Sequence, residues 1–212
     1  MSAPHAHDHD HPHPHQPDLE DRPYGYYQLM VEAVGELLIE KGVFSAEELR
    51  RTVEDIDSRS PAMGAKVVAR AWVDPAYKAR LLDDANAAAG ELGIDAGTIP
   101  IRALENTPHL HNVVCCTLCS CYPRLLLGLP PDWYKARAYR SRVVREPRAV
   151  LAEFGTLIPD EVEVRVHDST ADLRYLVLPL RPAGTEGWLE ERLAALVTRD
   201  CMIGVAVPSA ES

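Results

Sequence analysis

Four of the five cysteines, Cys115, Cys116, Cys119 and Cys121, fall within seven consecutive residues, and Cys201 stands apart. A disulfide framework spreads its cysteines so that each bridge closes a loop, and an odd count fits it poorly. A cluster this tight demands a loop that brings several sulfurs to one point, which is the requirement of metal or redox chemistry. Within Cys116-Thr117-Leu118-Cys119-Ser120-Cys121 the spacing is C-x2-C-x-C. The C-x-C pair adds chelation through the backbone. With an ion on the Cys119 and Cys121 sulfurs, the amide nitrogens of Ser120 and Cys121 fall within small chelate rings. Deprotonating two amides needs a strongly Lewis-acidic ion such as trivalent cobalt or iron. Three sulfurs and two nitrogens then leave a sixth position for water or substrate. The spacing alone also suits a zinc knuckle with His109 or His111 as fourth ligand, or an iron–sulfur site.

The chain of 212 residues is 46% hydrophobic, which suits one domain with a core plus appended segments. Its formal net charge is -10 and no basic stripe runs along it, so nucleic acid is not an expected partner. No run of about 18 apolar residues exists, which argues against a spanning helix. The polar N-terminus lacks the apolar core of a secretory signal. A soluble, cytoplasmic protein is expected.

Residues 1–22 alternate His5, His7, His9, His11, His13 and His15 with Ala, Asp, Pro and Gln, and read as a disordered tail. Its imidazoles suit either a weak metal-gathering role or mere solubility. From Tyr26 the pattern is helical, with Tyr27, Met30, Val31, Val34, Leu37 and Leu38 at three- and four-residue steps and Gly42 as a stop. Ser45 and Glu48 form a capping box for a second helix. Ser60-Pro61 and Asp74-Pro75 open a third and a fourth, the last carrying Leu81, Leu82, Ala85 and Ala88 to Gly93. Strands are expected at Ile101–Leu104, Asn112–Val114, Val162–Val166 and Arg174–Leu180. Helices are expected from Pro147 to Phe154 and near Leu189–Leu196, with a final apolar strand at Ile203–Val207. Residues 123–147 read as loop with short helical turns. The fold class is α+β: a helical N-terminal region over residues 23–95, then a small layered α/β/β/α domain over residues 96–212 that holds the cysteine loop.

Residues 113–123, Val-Val-Cys-Cys-Thr-Leu-Cys-Ser-Cys-Tyr-Pro, resemble the metal-binding signature of the nitrile hydratase α subunit. Thr117 matches the cobalt-type version, where the iron type usually has Ser. The similarity extends through Ala65–Trp72, Leu127–Lys135, Tyr139–Arg148, Arg181–Trp188 and Val197–Val205, so that Leu29 to Pro208 is covered. The resemblance implies that Cys116, Cys119 and Cys121, with the Ser120 and Cys121 amides, bind one low-spin Co(III). It implies Cys119 as a sulfinic acid and Cys121 as a sulfenic acid, both on the cysteine oxidation ladder. It also implies a β-type subunit whose arginines hold those oxygens, and an activator that loads cobalt. The reaction implied is addition of water to a nitrile. The attacking group is either a water or the Cys121 sulfenate oxygen, with Ser120 positioning the network through its hydroxyl.

The chain departs from that pattern in three places. Arg124-Leu125 follows Cys-Tyr-Pro where nitrile hydratases commonly have Trp-Pro, so a substrate pocket of different size and polarity is expected. Cys115 stands where valine is usual and reads as a small core residue facing away from the metal, since adjacent strand side chains point oppositely. Cys201 replaces a common serine in a structural role. Arg124, Cys201 and the His-rich tail are also similar to the γ subunit of thiocyanate hydrolase, which shares the claw. Leu127–Pro131 and Glu105–Pro108 look more like the hydratase, and a bulky heteroaromatic nitrile would suit an altered pocket. A metal-storing subunit without turnover is the remaining alternative. Arg140, Arg142, Arg145 and Arg148 are expected to steady the claw loop or meet a partner's acids.

Overall fold

The computed structural model describes residues 25–119 and 121–210. The His-rich tail and Ser120 lie outside the described residues. By contact the chain falls into two compact units that divide after Arg51.

The first unit holds α1 (Tyr26–Glu40) and the start of α2 (Ala46–Ser58). α1 is followed by its C-cap Lys41 and then Gly42, and none of its residues is buried. Tyr27 and Val31, on the apolar stripe, are 82% and 73% exposed. The capping box opens α2 as expected. The Ser45 amide donates to the Glu48 carboxylate at 2.7 Å, and the Glu48 amide donates to the Ser45 hydroxyl at 3.1 Å.

In the second unit, prolines at the first helical turn start α3 (Pro61–Val73) and α4 (Pro75–Asp83). Helix α4 is shorter than its apolar pattern suggests, because Asp84 interrupts it. The Asp84 carboxylate accepts from the Ala87 amide at 3.0 Å and caps a separate helix, α5 (Ala85–Glu91). The buried residues of α3 are Gly64, Ala65, Val67, Val68, Ala69 and Ala71, a small-residue face suited to close packing.

Four of the five expected strands form. β1 (Ile101–Glu105) pairs in parallel with β4 (Arg174–Leu178), and β2 (Leu110–Cys115) pairs in parallel with β3 (Glu163–Asp168). Parallel partners need long crossovers. The β2–β3 crossover carries four short helices, α6 (Arg124–Leu127), α7 (Asp132–Lys135), α8 (Arg137–Arg142) and α9 (Pro147–Glu153). Helices α4 and α5 pack on β1, and α9 packs on β3. One cluster of buried side chains joins α3–α5, the strands and the crossover helices, with Leu81, Leu126, Leu127, Leu151 and Leu176 fully enclosed. Full burial of each such leucine contributes about 1.5–3 kcal/mol.

After α10 (Glu190–Ala194), the expected terminal strand does not form: helix precedes it and residues 204–207 are turn and irregular chain. α11 spans Arg199–Ile203, so the apolar run Ile203–Val207 begins inside it. The Thr198 hydroxyl accepts from the Cys201 amide at 3.3 Å, and Gly204 closes the helix at φ 90°. Cap and stop decide this segment against its β-branched content. Cys201 is buried in α11 with its sulfur 3.2 Å from the Thr198 hydroxyl, a structural setting. Among the described residues no helix is long and apolar enough to cross a membrane.

Candidate metal centre

The cysteine loop begins where β2 ends. The register places Cys115 opposite Asp168, and the Ser169 amide donates to the Cys115 carbonyl at 2.8 Å. Asp168, at the last position of β3, therefore stands beside the first loop residues. Its carboxylate accepts from the Thr117 amide at 2.8 Å and the Thr117 hydroxyl at 2.5 Å. On the other side, Arg140 donates to the Thr117 carbonyl at 3.2 Å. Every polar group of Thr117 is held before the chain reaches Cys119.

The loop then folds back on itself, with the Cys119 amide donating to the Cys116 sulfur at 3.3 Å. The Cys116 and Cys119 sulfurs are 3.6 Å apart, and those of Cys119 and Cys121 are 3.2 Å apart. All three lie within 4.8 Å of one another. Cys116 is buried at the base, Cys121 half-buried and Cys119 exposed. Past the turn, the buried Tyr134 hydroxyl donates to the Cys121 carbonyl at 2.9 Å, and Tyr139 donates to the Val114 carbonyl at 2.7 Å. Tyr122 packs edge-on to Tyr134 at 5.3 Å between ring centres. A rigid aromatic floor thus supports both ends of the loop.

This crowding has an electrostatic consequence. Burial pushes the Cys121 thiol up to about 12, the Cys119 and Cys116 sulfurs push the same way, and the Arg174 charge opposes them. Three sulfurs this close cannot all ionise without a cation among them. A bound cation reverses the balance, and loading releases protons. Cys115 differs. It is fully buried in the core, and burial with the nearby Asp168 charge pushes its thiol up to about 12. It stays a packing thiol, as its strand position suggests.

Zinc and iron–sulfur sites ask for a fourth side-chain ligand. Among the described residues no other His, Cys, Asp or Glu joins the group of Cys116, Cys119 and Cys121. His109 is exposed on the turn before β2. His111 is buried, bonded through Nε2 to the Gly204 carbonyl at 2.7 Å and through Nδ1 to Asn106 at 3.3 Å. Three thiols with backbone amides nearby fit a claw ion better than a tetrahedral zinc.

Of the four arginines singled out in sequence, Arg140 reaches the claw loop. Arg142 pairs within the chain to Glu146 at 2.6 Å and to Glu153 at 2.6 Å. Arg145 donates to the Ser141 carbonyl, and Arg148 to the carbonyls of Ile158, Pro159, Asp160 and Val162. Sequence reasoning missed Asp168, Tyr134 and Tyr139 as supports. Asp168 lies 47 to 52 residues from the claw cysteines, and only the β2–β3 register brings it near.

The model of the family described as nitrile hydratase, alpha chain matches residues 25–206. The low-molecular weight cobalt-containing nitrile hydratase subunit alpha of Rhodococcus rhodochrous is 53% identical over 184 residues, covering 86% of this chain and 89% of that protein. The thiocyanate hydrolase subunit gamma of Thiobacillus thioparus is 48% identical over 220 residues, covering 98% and 90%. A solved structure of recombinant thiocyanate hydrolase with partially modified cobalt centres superposes with a TM-score of 0.83 at 47% identity, covering 87% of this chain and 91% of that one. Matched over most of its length by both the family model and these relatives, the chain belongs to the nitrile hydratase alpha-chain family.

Proposed function

We propose that this chain is the metal-bearing catalytic subunit of a nitrile hydratase, adding water across a C≡N bond to give an amide. The observation that carries this reading is the convergence of the Cys116, Cys119 and Cys121 sulfurs within 4.8 Å, with no fourth side-chain ligand among the described residues. Cobalt, present in the named relatives, would be held by those sulfurs and the Ser120 and Cys121 amides, and when bound supplies Lewis acidity that polarises the C≡N group.

The chain's own groups set the rest. Asp168 and Arg140 fix Thr117, so the loop enters the site in one conformation. Tyr134 fixes its exit at the Cys121 carbonyl. The buried tyrosines close the floor to water, so substrate arrives from the side where Cys119 is exposed. On this reading an external oxidant of the dioxygen or peroxide class takes the Cys119 thiolate to a sulfinic acid and the Cys121 thiolate to a sulfenic acid. Water is the net source of the oxygen: either a water that the Cys121 oxygen and Ser120 orient adds to the nitrile carbon, or the Cys121 oxygen adds, its bond to sulfur breaks and a water replaces it there. Both protons of that water end on the nitrogen of the amide.

A β-type subunit completes the site. Leu118 is 85% exposed beside Cys119, and α1 buries none of its apolar stripe. Both fit burial against a partner chain, whose arginines would hold the oxidised sulfurs. We place the enzyme in the cytoplasm and expect an activator to load the cobalt. A second reading, the cobalt subunit of a thiocyanate hydrolase, is favoured by Arg124 and by the gamma-subunit relative that covers 98% of the chain.

The test is turnover by the chain co-expressed with its partner and cobalt. Amide formed from a nitrile, lost on Cys121→Ala, supports the hydratase. Sulfur-gas release from thiocyanate without amide formation supports the second reading. A loaded complex inactive on both would point to metal storage and refute the proposal.

A further inference from the structure

The hydroxyl of Ser169 is a buried polar group that closes no aligned hydrogen bond, in a residue only 1% exposed. Orphaned hydroxyls of this kind are rare in native proteins and call for a partner. Ser169 follows the last residue of β3, and its amide donates to the Cys115 carbonyl at 2.8 Å. Its backbone is thereby fixed at the entrance of the cysteine loop. Its hydroxyl stands beside the Tyr134 phenol and favours negative charge on that oxygen, as a donor aimed at it does. Tyr134 in turn donates to the Cys121 carbonyl at 2.9 Å, at the exit of the loop.

Donor accounting gives the pair a direction. A phenol carries one proton, and its oxygen can also accept. The Tyr134 proton is spent on the Cys121 carbonyl, so toward Ser169 the phenol oxygen can only accept. The Ser169 hydroxyl, with one proton to give, is the complement. Tyr134 is fully buried, so bulk water does not supply that donor. A donor into the phenol oxygen polarises the phenol and strengthens its own bond to the Cys121 carbonyl. An idle hydroxyl predicts the opposite. A desolvated polar group with no partner costs stability, and its removal is neutral or stabilising.

We propose that Ser169 is a positioning residue of the metal centre, clamping both ends of the cysteine loop. Its amide holds the Cys115 end, and its hydroxyl, acting through Tyr134, holds the Cys121 end. One residue thereby sets the span across which the Cys116, Cys119 and Cys121 sulfurs converge. Asp168, its neighbour, holds a different point, Thr117, in the first half of the loop. Ser169 touches neither metal nor substrate. Its effect on a bound ion rests on the claw reading, whereas the clamp itself belongs to the metal-free chain.

Ser169→Ala, Tyr134→Phe, the double variant and Ser169→Cys are compared with wild type as full-length, metal-free chains. Hydrogen exchange of the amides between Cys119 and Arg124 reads loop opening, and a melting curve reads the fold. The cobalt-loaded complexes are compared by their sulfur-to-cobalt charge-transfer absorption. Loop exchange is expected to be about fivefold faster in Ser169→Ala, the size of one buried neutral hydrogen bond. Because the effect passes through Tyr134, Ser169→Ala changes the rate less than about twofold in the Tyr134→Phe background. Ser169→Cys, with a weaker donor, falls between wild type and Ser169→Ala. The charge-transfer band shifts in Ser169→Ala and Tyr134→Phe alike. The expected exchange pattern in a chain that takes up no cobalt keeps the clamp and sinks the claw reading. A raised melting temperature with unchanged loop exchange marks an idle hydroxyl and overturns the proposal. So does an equal effect of Ser169→Ala in both backgrounds, a wild-type loop without protection, or a charge-transfer band that Ser169→Ala leaves in place.

Discussion

Removing the Asp168 carboxylate should loosen the claw loop without dissolving the fold. Asp168→Ala deletes two hydrogen bonds to Thr117, at 2.8 and 2.5 Å. Bonds to a charged acceptor contribute about 1.5–3 kcal/mol each when shielded. Both partners are exposed, so solvent reduces each to about 1 kcal/mol. The total of about 2 kcal/mol shifts the ratio of ordered to open loop by roughly 30-fold. Metal binding that requires the ordered loop weakens by the factor by which its population falls. The assay is the rate of cobalt loss to a chelator from the purified complex, alongside the melting curve of the metal-free chain. Loss should be tens of times faster in Asp168→Ala and several times faster in Thr117→Val, which forfeits the hydroxyl bond alone. Because the two residues share partners, the double variant should lose little more than Asp168→Ala. Wild-type cobalt retention in Asp168→Ala would refute the claim that this tether orders the site.

Other consequences follow from particular contacts. Gly204→Ala would place a Cβ 2.0 Å from the Asn112 carbonyl oxygen at φ 90°, so about 3 kcal/mol or more of stability should disappear in a urea titration. His111 and His167 are held neutral, with their values lowered chiefly by burial. The unfolded chain therefore binds more protons, and stability should fall as pH drops below about 6.5. A melting temperature flat between pH 7.5 and 5.5 would contradict this. Cys115→Val should keep cobalt content and change stability by about 1 kcal/mol or less, since Cys115 is a fully buried core residue. Loss of metal in that variant would mean that Cys115 takes part in the site.

Local chemistry made much of this fold legible. Proline at Pro61 and Pro75, the Ser45–Glu48 box and the alternating Val162–Val166 run each act within a few residues, and each appears where expected. Two segments misled for the same reason. At Asp84 and at Thr198–Gly204 a single cap or stop outweighs a longer apolar pattern. The claw was readable because its spacing is itself local. Its supports were not, since Asp168 is placed by strand pairing and the Tyr134 and Tyr139 hydroxyls by packing of the crossover helices. The apolar stripe of α1 was read correctly as helical, but periodicity does not say what covers it.

Peptide-mapped mass spectrometry with metal analysis of the purified complex decides whether this chain holds a cobalt claw with oxidised cysteines. The complex is produced with cobalt and with the proposed partner and activator. One cobalt per chain is expected, with two oxygens on Cys119, one on Cys121 and none on Cys116. Zinc with three unmodified thiols, in a complex that also makes no amide, would contradict it.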